Sequence, residues 1–94
     1  MRVFAVYDGA TSSYERPFFA RSAAEAIRSF EDAVRDNGSP FAKHPIDFSL
    51  FQLADFDDIG GVFSGGPPQR LCGAAEFVMK DVSPPFSGST RGST

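Results

Sequence analysis

Residues 47–56 read DFSLFQLADF. In an extended chain successive side chains point to opposite faces. Strict alternation sends Phe48, Leu50, Ala54 and Phe56 one way, with Gln52 between them, and Phe51 and Leu53 the other way, with Ser49 and Asp55. A strand with one solvated face alternates apolar and polar residues cleanly. This one is apolar on both sides, so the fold turns on what covers the second side.

The same two-sidedness runs through the N-terminal segment. Residues 2–8, RVFAVYD, are rich in β-branched and aromatic side chains and are followed by the turn formers DGATSS. Residues 14–20, YERPFFA, then read as a second strand, giving an antiparallel hairpin with a longer loop. Pro17 cannot donate to a ladder, which makes that strand an edge or a bulged one. Phe4 and Val6 oppose Val3, Ala5 and Tyr7, and Phe18 opposes Phe19.

A helix follows. Ser22-Ala23-Ala24-Glu25 fits a capping box, with the Ser22 hydroxyl on the Glu25 N–H and the Glu25 carboxylate returning the bond. Ala23, Ala26, Ile27, Phe30, Ala33 and Val34 then recur at helical spacing, while Glu25, Arg28, Asp32 and Arg35 lie mainly elsewhere around the cylinder. Asn37-Gly38-Ser39-Pro40 ends the helix, with Gly38 suited to a left-handed cap and Pro40 unable to continue. Residues 41–45 read as a connector. The Asp- and Gly-rich turn after Phe56 predicts a second hairpin returning through Val62 and Phe63. Gly65-Gly66-Pro67-Pro68 breaks regular structure, and residues 71–80, LCGAAEFVMK, read as a last strand or a short helix, with strand favoured because Phe77-Val78-Met79 is apolar and Gly73 disfavours helix. Low hydrophobicity and abundant Ser, Gly, Thr and Pro predict a disordered tail over residues 83–94.

The expected fold is α+β, β-β-α-β-β-β: a small antiparallel sheet of four to five strands with one amphipathic helix on one face, forming a single domain over residues 1–82. One helix of about 15 residues is roughly 23 Å long and about 10 Å wide, enough for two or three strands on one side only. Eleven Phe, two Tyr and no Trp supply more aromatic surface than that helix shelters. Each Phe left in water forfeits roughly 1.5–3 kcal/mol relative to burial. Three coverings are open: the connector and C-terminal segment folding back, a second copy packed sheet to sheet, or a ligand bound on the face. In the last case Phe4, Tyr14 and Phe18, interleaved with Arg2 and Arg16, make a stacking platform for single-stranded nucleic acid.

Chemistry is sparse. With Cys72 the only thiol and His44 the only imidazole, no four-ligand N/S metal site and no intramolecular disulfide can form within one chain. Cys72 with His44 is a formal nucleophile pair, but a cysteine in an apolar run serves more often as a small core residue. Asp55, Asp57 and Asp58 lack the remaining ligands of a calcium loop and read as turn formers. No catalytic, cofactor or metal residues are expected. The N-terminal segment is too polar for a signal peptide, no run reaches membrane-helix length, and the single cysteine fits a reducing compartment. A formal net charge of −3 confines any nucleic-acid contact to a local patch.

The order VFAVYD, PFFARS, AAEAIRSFEDAV and SPFAKHPIDFSLFQLADFDDIGG resembles the small nonstructural protein of gokushovirus-type microviruses, phages with single-stranded DNA. The resemblance spans residues 2–63. It is most specific at Ser39, Pro40, Phe41, Lys43, His44, Pro45, Asp47, Phe48, Leu50, Phe51, Leu53, Phe56, Asp57 and Asp58, and it weakens after Gly65. It implies a non-enzymatic accessory protein of the host bacterial cytoplasm acting in single-stranded DNA replication or genome packaging. The expected partners are single-stranded DNA or viral capsid or replication proteins, with no membrane, and the expected state is a homodimer. The candidate nucleic-acid residues are Arg2, Phe4, Tyr14, Arg16, Phe18, Lys43 and His44, with the KHP histidine either a phosphate contact or a group that fixes the connector. The alternative is a protein-binding module for procapsid assembly or host takeover that touches no nucleic acid.

Overall fold

A computed structural model describes residues 1–81. In chain order it contains β1 (Arg2–Asp8), β2 (Ser13–Tyr14), β3 (Phe18–Ala20), α1 (Ala23–Val34), α2 (Pro40–Lys43), a 3-10 turn (Pro45–Asp47), β4 (Phe48–Asp57), β5 (Val62–Ser64), β6 (Gln69–Gly73) and α3 (Ala74–Asp81). The fold is α+β with one antiparallel sheet of six strands. The expected disordered tail over residues 83–94 lies outside the described residues.

The long strands β1 and β4 pair along their whole length at the centre of the sheet, from Arg2 opposite Asp55 to Asp8 opposite Phe48. Each outer edge is a broken strand. On the β1 side, β2 pairs at Tyr7–Tyr14 and β3 at Phe4–Phe18, separated by Glu15, Arg16 and Pro17. Pro17 therefore has the expected effect of interrupting an edge. On the β4 side, β5 pairs over Asp55–Asp57 and β6 over Ser49–Gln52, separated by a loop through Gly65, Gly66, Pro67 and Pro68.

Residues directly opposite in an antiparallel ladder share a face. Phe4, Val6, Phe18, Phe48, Leu50 and Cys72 thus lie on one side of the sheet, where they join Ala26, Phe30 and Val34 of α1 and Ala74 and Phe77 of α3 in the core. Phe41 of α2 packs on Phe30 and Phe48, at centroid distances of 5.6 and 4.8 Å.

Three helical segments therefore cover this side, where the sequence predicts one. Residues 71–80 divide between the end of β6 and α3, so the favoured strand holds only as far as Gly73 and the alternative, a short helix, takes the rest. The Glu76 carboxylate accepts the Gly73 N–H at 2.7 Å and helps to hold the first turn of that helix.

Local chemistry explains the helix ends. The Ser22 hydroxyl accepts the Glu25 N–H at 3.2 Å, while the Glu25 carboxylate accepts the N–H of Arg21 at 2.8 Å, one residue earlier than a capping box requires. Gly38 does not adopt the expected left-handed conformation. Instead α1 stops because the Ser39 hydroxyl donates to the Ala33 carbonyl at 2.7 Å and accepts the Ala42 N–H at 3.2 Å. One side chain closes α1 and opens α2, with Pro40 in the first turn where its missing N–H costs nothing.

A bulge decides the far half of the sheet. Val3 faces Ala54 but Phe4 faces Gln52, so the register shifts at Leu53. The extra residue reverses the alternation beyond it. Ala54 and Phe56, expected on the side of Phe48 and Leu50, are carried to the opposite face.

Candidate functional interface

The helix-free face is built from the other parity of each strand. Val3, Ala5 and Tyr7 of β1 lie there with Tyr14, Phe19, Phe51, Ala54, Phe56 and Phe63. Six of these side chains form two rows across the sheet. Near one end, Tyr7 meets Tyr14 at 4.9 Å and Phe51 at 5.9 Å, and Tyr14 meets Phe51 at 5.5 Å, all edge-to-face. At the other end, Phe19 stacks on Phe56 at 5.7 Å and Phe56 tilts against Phe63 at 4.8 Å.

The rings are the covering that the sequence calls for. Val3 and Ala5 are buried although no described helix residue joins their side of the sheet, because the aromatic rows shelter them. The outer rings remain uncovered: Tyr14 is 41% exposed, Phe19 53% and Phe63 59%. Val62 and Ile59 are exposed as well, but Val62, opposite Asp57, lies on the other side of the sheet from Phe63.

One cation belongs to this face. Arg70 is the cross-strand partner of Phe51, and its guanidinium lies 3.5 Å from the Glu76 carboxylate, with both side chains largely exposed. At the turn between β4 and β5, the Asp57 carboxylate accepts the N–H groups of Ile59 and Gly60, at 3.0 and 3.2 Å. These two bonds, that from Gly60 foremost, hold its pKa below the ordinary aspartate value. Gly61 closes the turn at φ +70 and donates to the Asp57 carbonyl at 2.7 Å. Asp57 is thus bound up in the turn, and no group of residues suited to a metal ion occurs among the described residues.

The seven residues nominated from sequence do not come together. Tyr14 stands on the helix-free face. Phe4 is fully buried on the opposite side and Phe18 stacks on it at 5.8 Å, so the expected placement of both on an open platform is corrected. The hairpin parity was legible, but the helices cover the Phe4–Phe18 side and leave the Tyr7–Phe19 side open. Arg2 shares the register position of buried Ala20, on the helix side, and lies 3.9 Å from Asp55. Arg16 sits in the break between β2 and β3, on the rim of an apolar cavity of about 280 Å³ lined by Val6, Phe18, Phe30 and Phe41. Lys43 and His44 end α2. His44 donates its backbone N–H to the Pro40 carbonyl and accepts that of Asp47, so its main chain fixes the connector. Tyr7, Phe19, Phe51, Phe56, Phe63 and Arg70 were not nominated. Adjacent Phe18-Phe19 was the available signal, since two neighbouring strand residues cannot both enter one core.

Cys72 is buried against the core, and burial, with Glu76 nearby, pushes its thiol up to about 11. It is a neutral core side chain at ordinary pH. No helix among the described residues is long and apolar enough to cross a membrane.

A family model described as phage ORF5 protein matches residues 1–77. The chain belongs to the phage ORF5 protein family. It is accordingly a bacteriophage protein, and the matched region takes in both central strands, both aromatic rows and the first half of α3. No curated protein and no solved structure gives a significant match.

Proposed function

We propose that this member of the family is a non-enzymatic accessory protein that binds single-stranded DNA through its helix-free sheet face. The observation that carries the reading is the pair of aromatic rows with Tyr14, Phe19 and Phe63 left open to solvent. Every base offers a flat π surface, and stacking on a protein ring contributes roughly 1–3 kcal/mol per base without demanding a sequence. Arg70 beside Phe51 supplies a positive group for the backbone. The resemblance to microvirus nonstructural proteins supports such a ligand and, as part of the same reading, a role in genome replication or packaging in the host cytoplasm.

The balance of charge shapes the expected binding. With a net charge of −3 and Arg70 the cation on the face, affinity rests on stacking more than on phosphates. Each phosphate neutralised on a single strand adds about 0.7 to the slope of log affinity against log salt. A slope of only about 0.7 is therefore expected, and Arg70→Ala nearly abolishes it. Titration of a labelled oligonucleotide at several salt concentrations measures both quantities. Tyr14→Ala and Phe63→Ala each weaken binding about fivefold or more at all of them.

The scarcity of cations also favours a second reading, in which a second copy or a viral assembly protein covers the same rings. Under that reading no oligonucleotide binds even at low salt, and sedimentation gives a dimer or a complex that Phe63→Ala disrupts.

A further inference from the structure

The two ladders on the outer edge of β4 leave a gap. β6 ends its pairing at Gln52 and β5 begins at Asp55, so neither pairs with Leu53 or Ala54. The intervening loop closes over the gap, with Gly65 at φ +155 and so near β4 that a Cβ there would lie 3.1 Å from the Ala54 Cα and 3.2 Å from the Leu53 carbonyl oxygen. The result is a notch of about 170 Å³ in the sheet edge, lined by Gln52, Leu53, Ala54, Asp55, Pro67 and Gln69, with the loop glycines between. Its walls come from both faces: Gln52, Gln69 and Asp55 share the side of Phe4 and Arg2, and Ala54 the ring-bearing side of Val3. Along β4 it lies between Phe51 of one aromatic row and Phe56 of the other.

The chemistry of the lining selects a class of ligand. Gln52 and Gln69 are cross-strand partners, and neither carboxamide has a hydrogen-bond partner among the described residues. Each offers an acceptor oxygen and two N–H donors. Asp55 adds acceptors only, with the Arg2 guanidinium 3.9 Å away outside the lining, and no cation among the described residues lines the notch itself, which disfavours phosphate. Pro67, Leu53 and the glycine backbone supply apolar walls. The volume is well below the roughly 300 Å³ at which pockets for drug-sized molecules begin and suits one planar ring system.

We propose that this notch receives a single unpaired nucleobase carrying an exocyclic amine, read by the Gln52 and Gln69 carboxamides and the Asp55 carboxylate. The inference rests on the single-stranded DNA reading and adds base selectivity to it. Carboxamides and carboxylates are the groups that pair with the exocyclic amines of adenine and cytosine, whereas thymine has none to offer. Bases unstacked from a single strand can present such edges to a protein. Stacking on the open rings then supplies affinity, and a base turned over the sheet edge into the notch, toward the side away from the rings, supplies preference.

The test uses the full-length chain with oligodeoxycytidine and oligodeoxythymidine of equal length, and the variants Gln52→Leu and Gln69→Leu checked for unchanged thermal unfolding. The wild type is expected to bind oligodeoxycytidine about fivefold or more tightly than oligodeoxythymidine. Either variant loses that preference while keeping its affinity for oligodeoxythymidine. Equal binding of the two by the wild type, or a preference that survives both substitutions, overturns the notch and leaves the stacking platform standing. A parallel titration separates the two ideas from the other direction: free deoxycytidine, and not thymidine, shifts the side-chain amide NMR signals of Gln52 and Gln69. Silence of those signals overturns the notch, whereas a response from a protein that binds no oligonucleotide upholds it and removes the platform.

Discussion

At the scale of single residues, two phenylalanines on neighbouring strand pairs carry opposite duties. Phe4 is enclosed between the sheet and the helices, while Phe19, on the strand beside it, stacks on Phe56 with half its surface in water. Phe4→Ala is expected to cost about 3–5 kcal/mol in urea unfolding, through lost burial and the cavity left behind. Phe19→Ala is expected to cost about 1 kcal/mol and to act instead on binding. The choice between the two was not legible, because a two-sided apolar pattern says that both faces need cover without saying which face the helices take. Cys72 was legible as a core residue. Its raised pKa and burial predict that a thiol reagent at pH 8 labels the native protein far more slowly than the urea-unfolded one, and fast labelling of the native protein would contradict its placement.

At the scale of elements, the strands, the main helix and the second hairpin could be read from periodicity and turn residues, whereas the helix caps and the bulge could not. Ser39 shows why. Its side chain serves two helices at once, a role that depends on how α1 and α2 meet and that no local pattern encodes. Ser39→Ala is expected to lower stability by about 1–2 kcal/mol, since it removes a cap and leaves the part-buried Ala33 carbonyl with only the longer bond from the Asp36 N–H, at 3.3 Å. The Leu53 bulge has no sequence marker either, yet it carries Phe56 across to complete the second aromatic row. The β4–β5 turn responds to acid. Asp57 has its pKa lowered by the Gly60 and Ile59 N–H groups, so its contribution is complete above the ordinary value near 3.8 and is lost as pH falls through the lower folded value. Amide exchange at Ile59 and Gly60 is expected to quicken only in that acid range, and quickening already at pH 5 would contradict the assignment.

At the scale of the whole molecule, the sheet is a partition. One side holds three helices and the core, and the other holds two rows of rings that shelter Val3 and Ala5 but are themselves left part-open. Composition foretold this division, since eleven phenylalanines exceed what one short helix can cover. The two extra helical segments account for part of that excess on the core side, and the rest stands on the open face. The nominated cations went astray because Arg16, Lys43 and His44 sit in breaks and connectors, whose direction is set by packing and not by strand alternation. The account stands or falls on that open face being where a ligand lands. Adding a single-stranded oligonucleotide to the isotopically labelled protein and following its backbone and aromatic NMR signals tests this directly. The expected result is a set of shifts centred on Tyr14, Phe19, Phe51 and Phe63 with α1 undisturbed. Shifts gathered on the outward side of α1, around Arg28 and Asp32, would contradict it, as would a spectrum that does not change.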